Sequence, residues 1–317
     1  MKIFRSLEEV PANFGPSIVS VGNFDGVHVG HQQVLRQVTE RARAIGRRSI
    51  VITFDPHPAK VLRPETAPRL ITPQPVKERL LAQTGIDALL VIPFTSEFSK
   101  TPAAEFAEKV LAQNLGAIEV HEGENFHFGH KAAGDTRRLI DFGHRFGFEV
   151  KSSPLMKIRG DLASSSCIRE LISQGKVGRA CRLLGRVFSV SAFPDRGRGY
   201  GSKYTVPTIN LGRYDELVPG NGVYFTRTRV GHEIFDSVTN VGKRPTFGDD
   251  LFAIETHLLD FHPLELTPET EVEVSFLRWR RAEIKFPSVE ALKEQIGKDV
   301  SRARRYFGLL KGTRLKG

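Results

Sequence analysis

The period of the hydrophobic pattern changes along the chain and divides it in two. From Ser17 to about Gly185, short β-branched runs alternate with stretches whose apolar residues recur every three to four positions. Strands are predicted at Ile18 to Val21, Ser49 to Phe54 and Ala88 to Ile92, and near Ile118 and Phe148. Helices are predicted from about His31 to Ile45, Val76 to Gln83 and Ala103 to Leu115, with another between the last two strands. Alternating strands and helices imply an α/β domain over residues 1–185: a doubly wound parallel sheet with helices on both faces.

After Gly185 the strands shorten and Gly and Pro separate them: Val187 to Ala192, Thr208 to Leu211, Val223 to Arg229, Ser237 to Val241, Ala253 to Leu259 and Glu271 to Phe276. An amphipathic helix follows from about Val289 to Tyr306. Residues 186–317 therefore read as a small antiparallel β-barrel with a C-terminal helix, since closure removes exposed sheet edges.

Composition adds constraints. With 40% apolar and 26% charged residues and 22 Phe in 317, the chain is globular rather than disordered or fibrous. A net charge of +10 favours anionic partners without choosing among nucleotide, nucleic acid and membrane surface. The basic tail, Arg302, Arg304, Arg305, Lys311, Arg314 and Lys316, reads as a solvated helix end, and no nucleic-acid partner is expected. Two cysteines, Cys167 and Cys181, support neither a disulfide framework nor a zinc site, so a reducing cytoplasm is expected. Charged residues interrupt the N-terminus, and no apolar run is long enough for a bilayer, so neither export nor membrane association is expected.

The segment from Gly22 to His31, GNFDGVHVGH, lies between the first strand and the first helix, where an α/β sheet places its ligand crevice. Gly22 and Gly30 allow close backbone approach, and His28 and His31 flank a helix start whose N–H groups attract phosphate. A Gly-rich turn with two incidental histidines is the plain alternative. Ser164, Ser165 and Ser166 are suited to cap a later helix, with Arg169 one turn inside it and able to grip a polyphosphate. Phe54, Phe126 and Phe128 offer either flat apolar surface for an aromatic ligand or ordinary core packing.

The complete string GNFDGVHVGH resembles the nucleotidyltransferase motif of bifunctional riboflavin kinase/FMN adenylyltransferases, the prokaryotic FAD synthetases. Thr53 to Pro58 (TFDPHP), Gly123 to Gly129 (GENFHFG) and Ala163 to Arg169 (ASSSCIR) resemble further elements of that family in the same order. Pro207 to Asn210, Val218 to Tyr224 and Asn240 to Gly248 resemble its riboflavin kinase module, and Glu255 matches that module's catalytic glutamate.

The resemblance implies that riboflavin is phosphorylated to FMN and FMN adenylylated to FAD, with ATP as co-substrate and Mg²⁺ as cofactor. It implies catalytic roles for His28, His31, Arg169 and Glu255, and ATP contacts at Gly22, Phe24, Asp25, Gly30, Ser164, Ser165, Ser166 and Thr208. Flavin contacts fall on Phe54, Pro56, Pro58, Asn125, Phe126 and Phe128, and Mg²⁺ ligands on Thr208 and Asn210. From spacing alone Glu255 is also compatible with a carboxylate facing solvent.

The chain departs from the family pattern mainly in the kinase half. The stretch Gly201 to Asn210 lacks an Arg, a Gly and a Phe, Ala192 replaces a Gly, and Lys203 is a candidate to restore the lost charge. A monofunctional adenylyltransferase with a flavin-binding, weakly catalytic barrel is therefore the alternative. An RNA-binding or synthetase-like protein is a third reading, but the sequence has no KMSKS-like lysine pair or basic-aromatic stripe.

Overall fold

Uninterrupted apolar runs form the central strands of a parallel sheet, and each strand alternates its side chains between two helical layers. The computed structural model describes residues 1–195, 208–243, 252–262, 266–267 and 269–314. The chain divides into two units, Met1–Cys167 and Ile168–Gly317.

In the first unit lie β1 (Lys2–Phe4), β2 (Ser17–Val21), β3 (Arg48–Asp55), β4 (Ala88–Pro93) and β5 (Ala117–Gly123). Further on come the short pair β6 (His127–Phe128) and β7 (Gly134–Asp135), then β8 (Glu149–Ser153), and the short pair β9 (Lys157–Ile158) and β10 (Asp161–Leu162). The main sheet is parallel, in the order β1-β4-β3-β2-β5-β8. The helices are α1 (Val29–Ala44), α2 (Pro58–Leu62), α3 (Gln74–Ala82), α4 (Ala103–Glu105) and α5 (Thr136–Phe146).

Alternation along β3 shows how the layers form: Val51 packs with Leu35 of α1 and Leu81 of α3, whereas Ile50 and Ile52 face the core that holds Phe106 and Leu139. The helix expected from Ala103 to Leu115 starts as α4 and continues as a π-helical segment, Phe106–Asn114. Its Leu115 N–H reaches the Val110 carbonyl at 3.2 Å, one residue beyond the α-helical partner.

The strand order locates the crevice. From β2 the chain passes through α1 to β3 on one side, and from β5 through α5 to β8 on the other. Connections therefore diverge between β2 and β5, and the carboxyl ends of these two strands flank the switch point where such sheets bind ligands.

α6 (Ser165–Ser173) crosses the break between the units. The second unit continues with α7 (Val177–Leu184), β11 (Phe188–Ala192), β12 (Thr208–Asn210), β13 (Gly222–Val230), β14 (Glu233–Lys243), β15 (Phe252–Leu258), β16 (Val272–Arg281) and a C-terminal helix, Val289–Arg314. The strands form an antiparallel sheet in the order β11-β16-β13-β14-β15-β12. Just beyond the two edge strands, Asp195 N–H donates to the Asn210 carbonyl at 2.9 Å and Gly212 N–H to the Phe193 carbonyl at 2.8 Å, so the edges meet. The C-terminal helix covers the outside of β13 and β14, with Ala303 and Phe307 against Val223, Phe225 and Val238.

The opposite face of these strands holds a closed ring of buried hydroxyls. Thr226 bonds Ser237 at 2.8 Å, Ser237 bonds Thr228 at 2.8 Å, Thr228 bonds Thr256 at 3.0 Å, Thr256 bonds Thr239 at 2.8 Å, and Thr239 returns to Thr226 at 2.7 Å. Each hydroxyl has two neighbours, so each donates once and accepts once. Thr256→Val keeps the shape and leaves two buried hydroxyls short of a partner. It is expected to destabilise the barrel by about 1–3 kcal/mol. Urea unfolding followed by Trp279, the sole tryptophan and a β16 residue, measures this; an unchanged midpoint would show that the ring adds nothing.

Candidate active site

The turn leaving β2 is held in an unusual backbone conformation. Phe24, Gly26 and Val27 have φ of 48°, 85° and 38°, in the left-handed region that only Gly 26 adopts without strain. Burial offsets the strain: Phe24 and Val27 are 3% and 2% exposed and pack with Leu35 of α1. The Phe24 ring is thus a core element.

Asp25, expected as an ATP contact, has its carboxylate turned inward. It accepts from the Ile71 and Thr72 N–H groups at 3.0 Å each and from the Thr72 hydroxyl at 3.2 Å, and is 2% exposed. A carboxylate with these donors anchors the turn to the segment before α3, which corrects the expectation of a phosphate contact from this side chain.

His28 is the N-cap of α1: its Nδ1 accepts the His31 N–H at 3.3 Å. In a neutral ring that leaves the proton on Nε2. The His31 ring stacks on His28 with centroids 3.6 Å apart and meets Phe24 edge-on at 5.1 Å. Burial, then His28 and then Lys77 hold His31 well below the usual imidazole range. Two imidazoles at stacking distance do not both carry charge at low cost, so His31 is suited to donate a hydrogen bond as a neutral ring.

The serine segment meets this turn. Ser164 Oγ accepts the Cys167 N–H at 3.3 Å, capping α6, and Ser165 Oγ donates to the Asp25 carbonyl at 2.8 Å. Gly30 leaves little room for a side chain here, because a Cβ would lie a tight 3.2 Å from both the Ala163 carbonyl and the His28 ring. Gly22, Gly30, His28, His31, Ser164 and Ser165 are thereby assembled at one strand end. Ser166 is exposed at the helix start, and Arg169, half-buried, lies four residues past Ser165 in the second unit.

Across the switch point, the ladder between β2 and β5 ends at Val19 and Val120, and the Glu122 side chain takes over by accepting the Val21 N–H. Burial pushes its carboxyl well above the ordinary carboxylate range. The unfolded chain therefore loses this proton first, and Glu122 costs stability progressively as pH rises past about 4.3 toward its folded value. Glu122→Gln keeps the acceptor and cannot ionise. Its denaturant midpoint is expected to exceed that of wild type at about pH 8 and to approach it at about pH 5; equal midpoints at both would contradict the buried proton.

Of the expected flavin contacts, Pro56 and Asn125 are exposed, and Phe54, Pro58 and Phe126 are half-buried. Phe128 is 8% exposed, with Phe126 stacked on it at 5.3 Å and Phe106 at 5.9 Å. It belongs to the core and supports Phe126, which corrects the expectation that it offers a free ring face.

In the second unit, register assembles a separate group. Asn210 of β12 pairs with Glu255 of β15, which pairs with Asn240 of β14, and Thr208 pairs with His257. Paired residues share a face. Glu255 is exposed, whereas Ile254 and Thr256 beside it are buried on the other face. Sequence reading missed Asn240, whose place in this row depends on register alone. Lys203 lies outside the described residues, as do 201–207 and 244–248 of the kinase-like motifs.

A family model described as FAD synthetase matches residues 10–167, and one described as riboflavin kinase matches residues 184–307. The chain is similar to a protein described as bifunctional riboflavin kinase/FMN adenylyltransferase from Pseudomonas fluorescens, with 34% identity over 96% of this chain and 97% of the relative. A protein of the same description from Escherichia coli strain K12 is 30% identical over 98% of this chain and 99% of its own length. A crystal structure described as a macrolide-efflux protein from Streptococcus pneumoniae shares the fold, with a TM-score of 0.85 and 27% identity over 95% of this chain and 98% of that one. Among the described residues no helix is long and apolar enough to cross a membrane.

Proposed function

Because the chain belongs to the family of bifunctional riboflavin kinase/FMN adenylyltransferases, we propose that the turn leaving β2 carries adenylyl transfer and the outer face of β12, β14 and β15 carries phosphoryl transfer. The enzyme phosphorylates riboflavin to FMN and adenylylates FMN to FAD, and a monofunctional reading is not favoured. The functional division is drawn at residues 1–185 and 186–317.

In adenylyl transfer a phosphate oxygen of FMN attacks the α-phosphorus of ATP, and the bond to the β-phosphate oxygen breaks to release pyrophosphate. No covalent enzyme intermediate is needed, so the protein contributes alignment and charge stabilisation. His28 Nε2–H and the His31 ring donate to the phosphates, with backbone N–H groups of the α1 start beside them. Ser164 and Ser165 hold the adjoining segment, Ser166 adds a hydroxyl, and Arg169 grips the leaving phosphates. Phe54 and Phe126, with Pro56 and Pro58, face the isoalloxazine, and Asn125 orients it. The observation that carries this reading is the stacked His28–His31 pair at a helix start beside the switch point.

In phosphoryl transfer Glu255 takes the proton of the ribityl 5′-hydroxyl as that oxygen attacks the γ-phosphorus and ADP leaves. Thr208 Oγ1 and Asn210 Oδ1, two positions apart on one strand, are neutral hard-oxygen donors suited to Mg²⁺ that retains water and phosphate ligands. Mg²⁺ bound there would neutralise phosphate charge. Cys167 and Cys181, neither of them in a disulfide, suit a cytoplasmic location.

Incubation with Mg²⁺ and ATP and either riboflavin or FMN, followed by chromatographic separation of the flavins, tests the whole. FMN and FAD from the first and FAD from the second are expected; FAD from supplied FMN, with no FMN or FAD from riboflavin, would select the monofunctional alternative.

A further inference from the structure

Lys77 sits on α3 one turn before Leu81 and is 4% exposed. A lysine ordinarily keeps its ammonium in water, and burying the charge is costly without compensation. Compensation comes from neutral oxygens: Nζ lies 3.2 Å from the Asn23 carbonyl, 3.2 Å from Thr53 Oγ1 and 3.5 Å from the Phe54 carbonyl. Three acceptors match the three N–H bonds of the ammonium. Thr53 Oγ1 also donates to the Asn23 carbonyl at 3.2 Å, which closes the cluster.

The acceptors come from two places that matter. Asn23 lies just past β2, at the entrance to the histidine turn, and Thr53 and Phe54 lie at the carboxyl end of β3. Among the described residues no carboxylate stands within ion-pair distance of Lys77. Burial lowers its basicity, and Asp25, Asp55 and Glu78 oppose that effect from farther away. The result is a cation fixed inside the protein behind the turn.

We propose that Lys77 is a positioning residue for adenylyl transfer, clamping the ends of β2 and β3 from within and fixing a positive charge beside the imidazoles of the turn. The inference rests on the reading of that turn as the adenylyl-transfer site. His28 and Phe24 meet the His31 ring, and the Lys77 ammonium, held at the Asn23 carbonyl where the turn begins, opposes a second positive charge on that ring. Labour is thereby divided: Lys77 supplies the standing charge, and the His31 imidazole remains a neutral donor that fits the phosphates. The ammonium itself, enclosed by three oxygens, does not touch substrate.

Lys77→Met deletes the charge at similar length, Lys77→Gln keeps a polar head should methionine not fold, and Lys77→Arg restores the charge. Ring NMR signals give the His31 titration midpoint, and flavin chromatography gives both activities. With either neutral variant the His31 midpoint is expected to rise, while burial and His28 still hold it below the ordinary imidazole value, and kcat for FAD formation to fall about 10²-fold. FMN formation from riboflavin is expected to stay at the wild-type rate, and the arginine variant to bring the His31 midpoint back. An unmoved midpoint in the neutral variants overturns the role of Lys77. A moved midpoint with unchanged FAD formation overturns instead the assignment of adenylyl transfer to this turn, and the proposal with it.

Discussion

His31→Ala is expected to lower FAD formation from FMN by about 10²- to 10³-fold, the cost of removing one pre-set donor to a charged transition state, while FMN formation from riboflavin continues at the wild-type rate. The substitution is selective because the fold uses the backbone of this residue more than its ring. The His31 N–H still donates to His28 Nδ1 in the variant, so the cap of α1 survives. What disappears is the ring stacked 3.6 Å from His28. Removing it also removes a group that resists protonation, so the wild-type loss of stability as pH falls below about 6.5 should shrink in the variant. FMN should accumulate from riboflavin, and wild-type FAD formation would contradict the role of the ring.

The mirror experiment is Glu255→Gln. Loss of a general base costs about 10²- to 10⁴-fold, so FMN formation from riboflavin is expected to fall by that factor while FAD formation from supplied FMN is unaffected. Glutamine keeps the size of the side chain on a strand whose other face, with Ile254 and Thr256, is the buried one. A large loss of stability is therefore not expected from this exposed position. Unchanged phosphorylation would move the proton acceptor elsewhere, and Asn240, on the same cross-strand row, has no basic atom to serve as one.

Most of the architecture was legible in the sequence because burial imposes period. Strands buried on both faces read as apolar runs, and α1 reads as a helix because Val34, Leu35, Val38 and Ala42 recur on one side. β1 was missed, since its three residues are too short for a pattern and its pairing with β4 decides the structure. β16 continues beyond Phe276 through Arg278, Trp279, Arg280 and Arg281, which look like a loop. Pairing with β13 and the Arg281–Asp299 ion pair at 2.8 Å keep that segment extended.

The sites divide in the same way. His28, His31 and the serines were legible because their chemistry lies in fixed local spacing. Asp25 was misjudged because a carboxylate in a phosphate-type motif looks exposed, and only the fold shows it meeting Ile71 and Thr72. Lys77 carried a signal, four residues before Leu81, but a lysine on an apolar helix face usually extends its ammonium to water. The hydroxyl ring was invisible, since its five members satisfy one another only in the observed register.

The most direct test of adenylyl transfer at the β2 turn is titration with α,β-methylene ATP, which binds as ATP does but cannot release pyrophosphate, followed by the ring NMR signals of the histidines. The predicted result is saturable movement of the His28 and His31 signals, with that of His121, buried against Glu119 on β5, unmoved. Saturation of the protein with both turn histidines unshifted would contradict it.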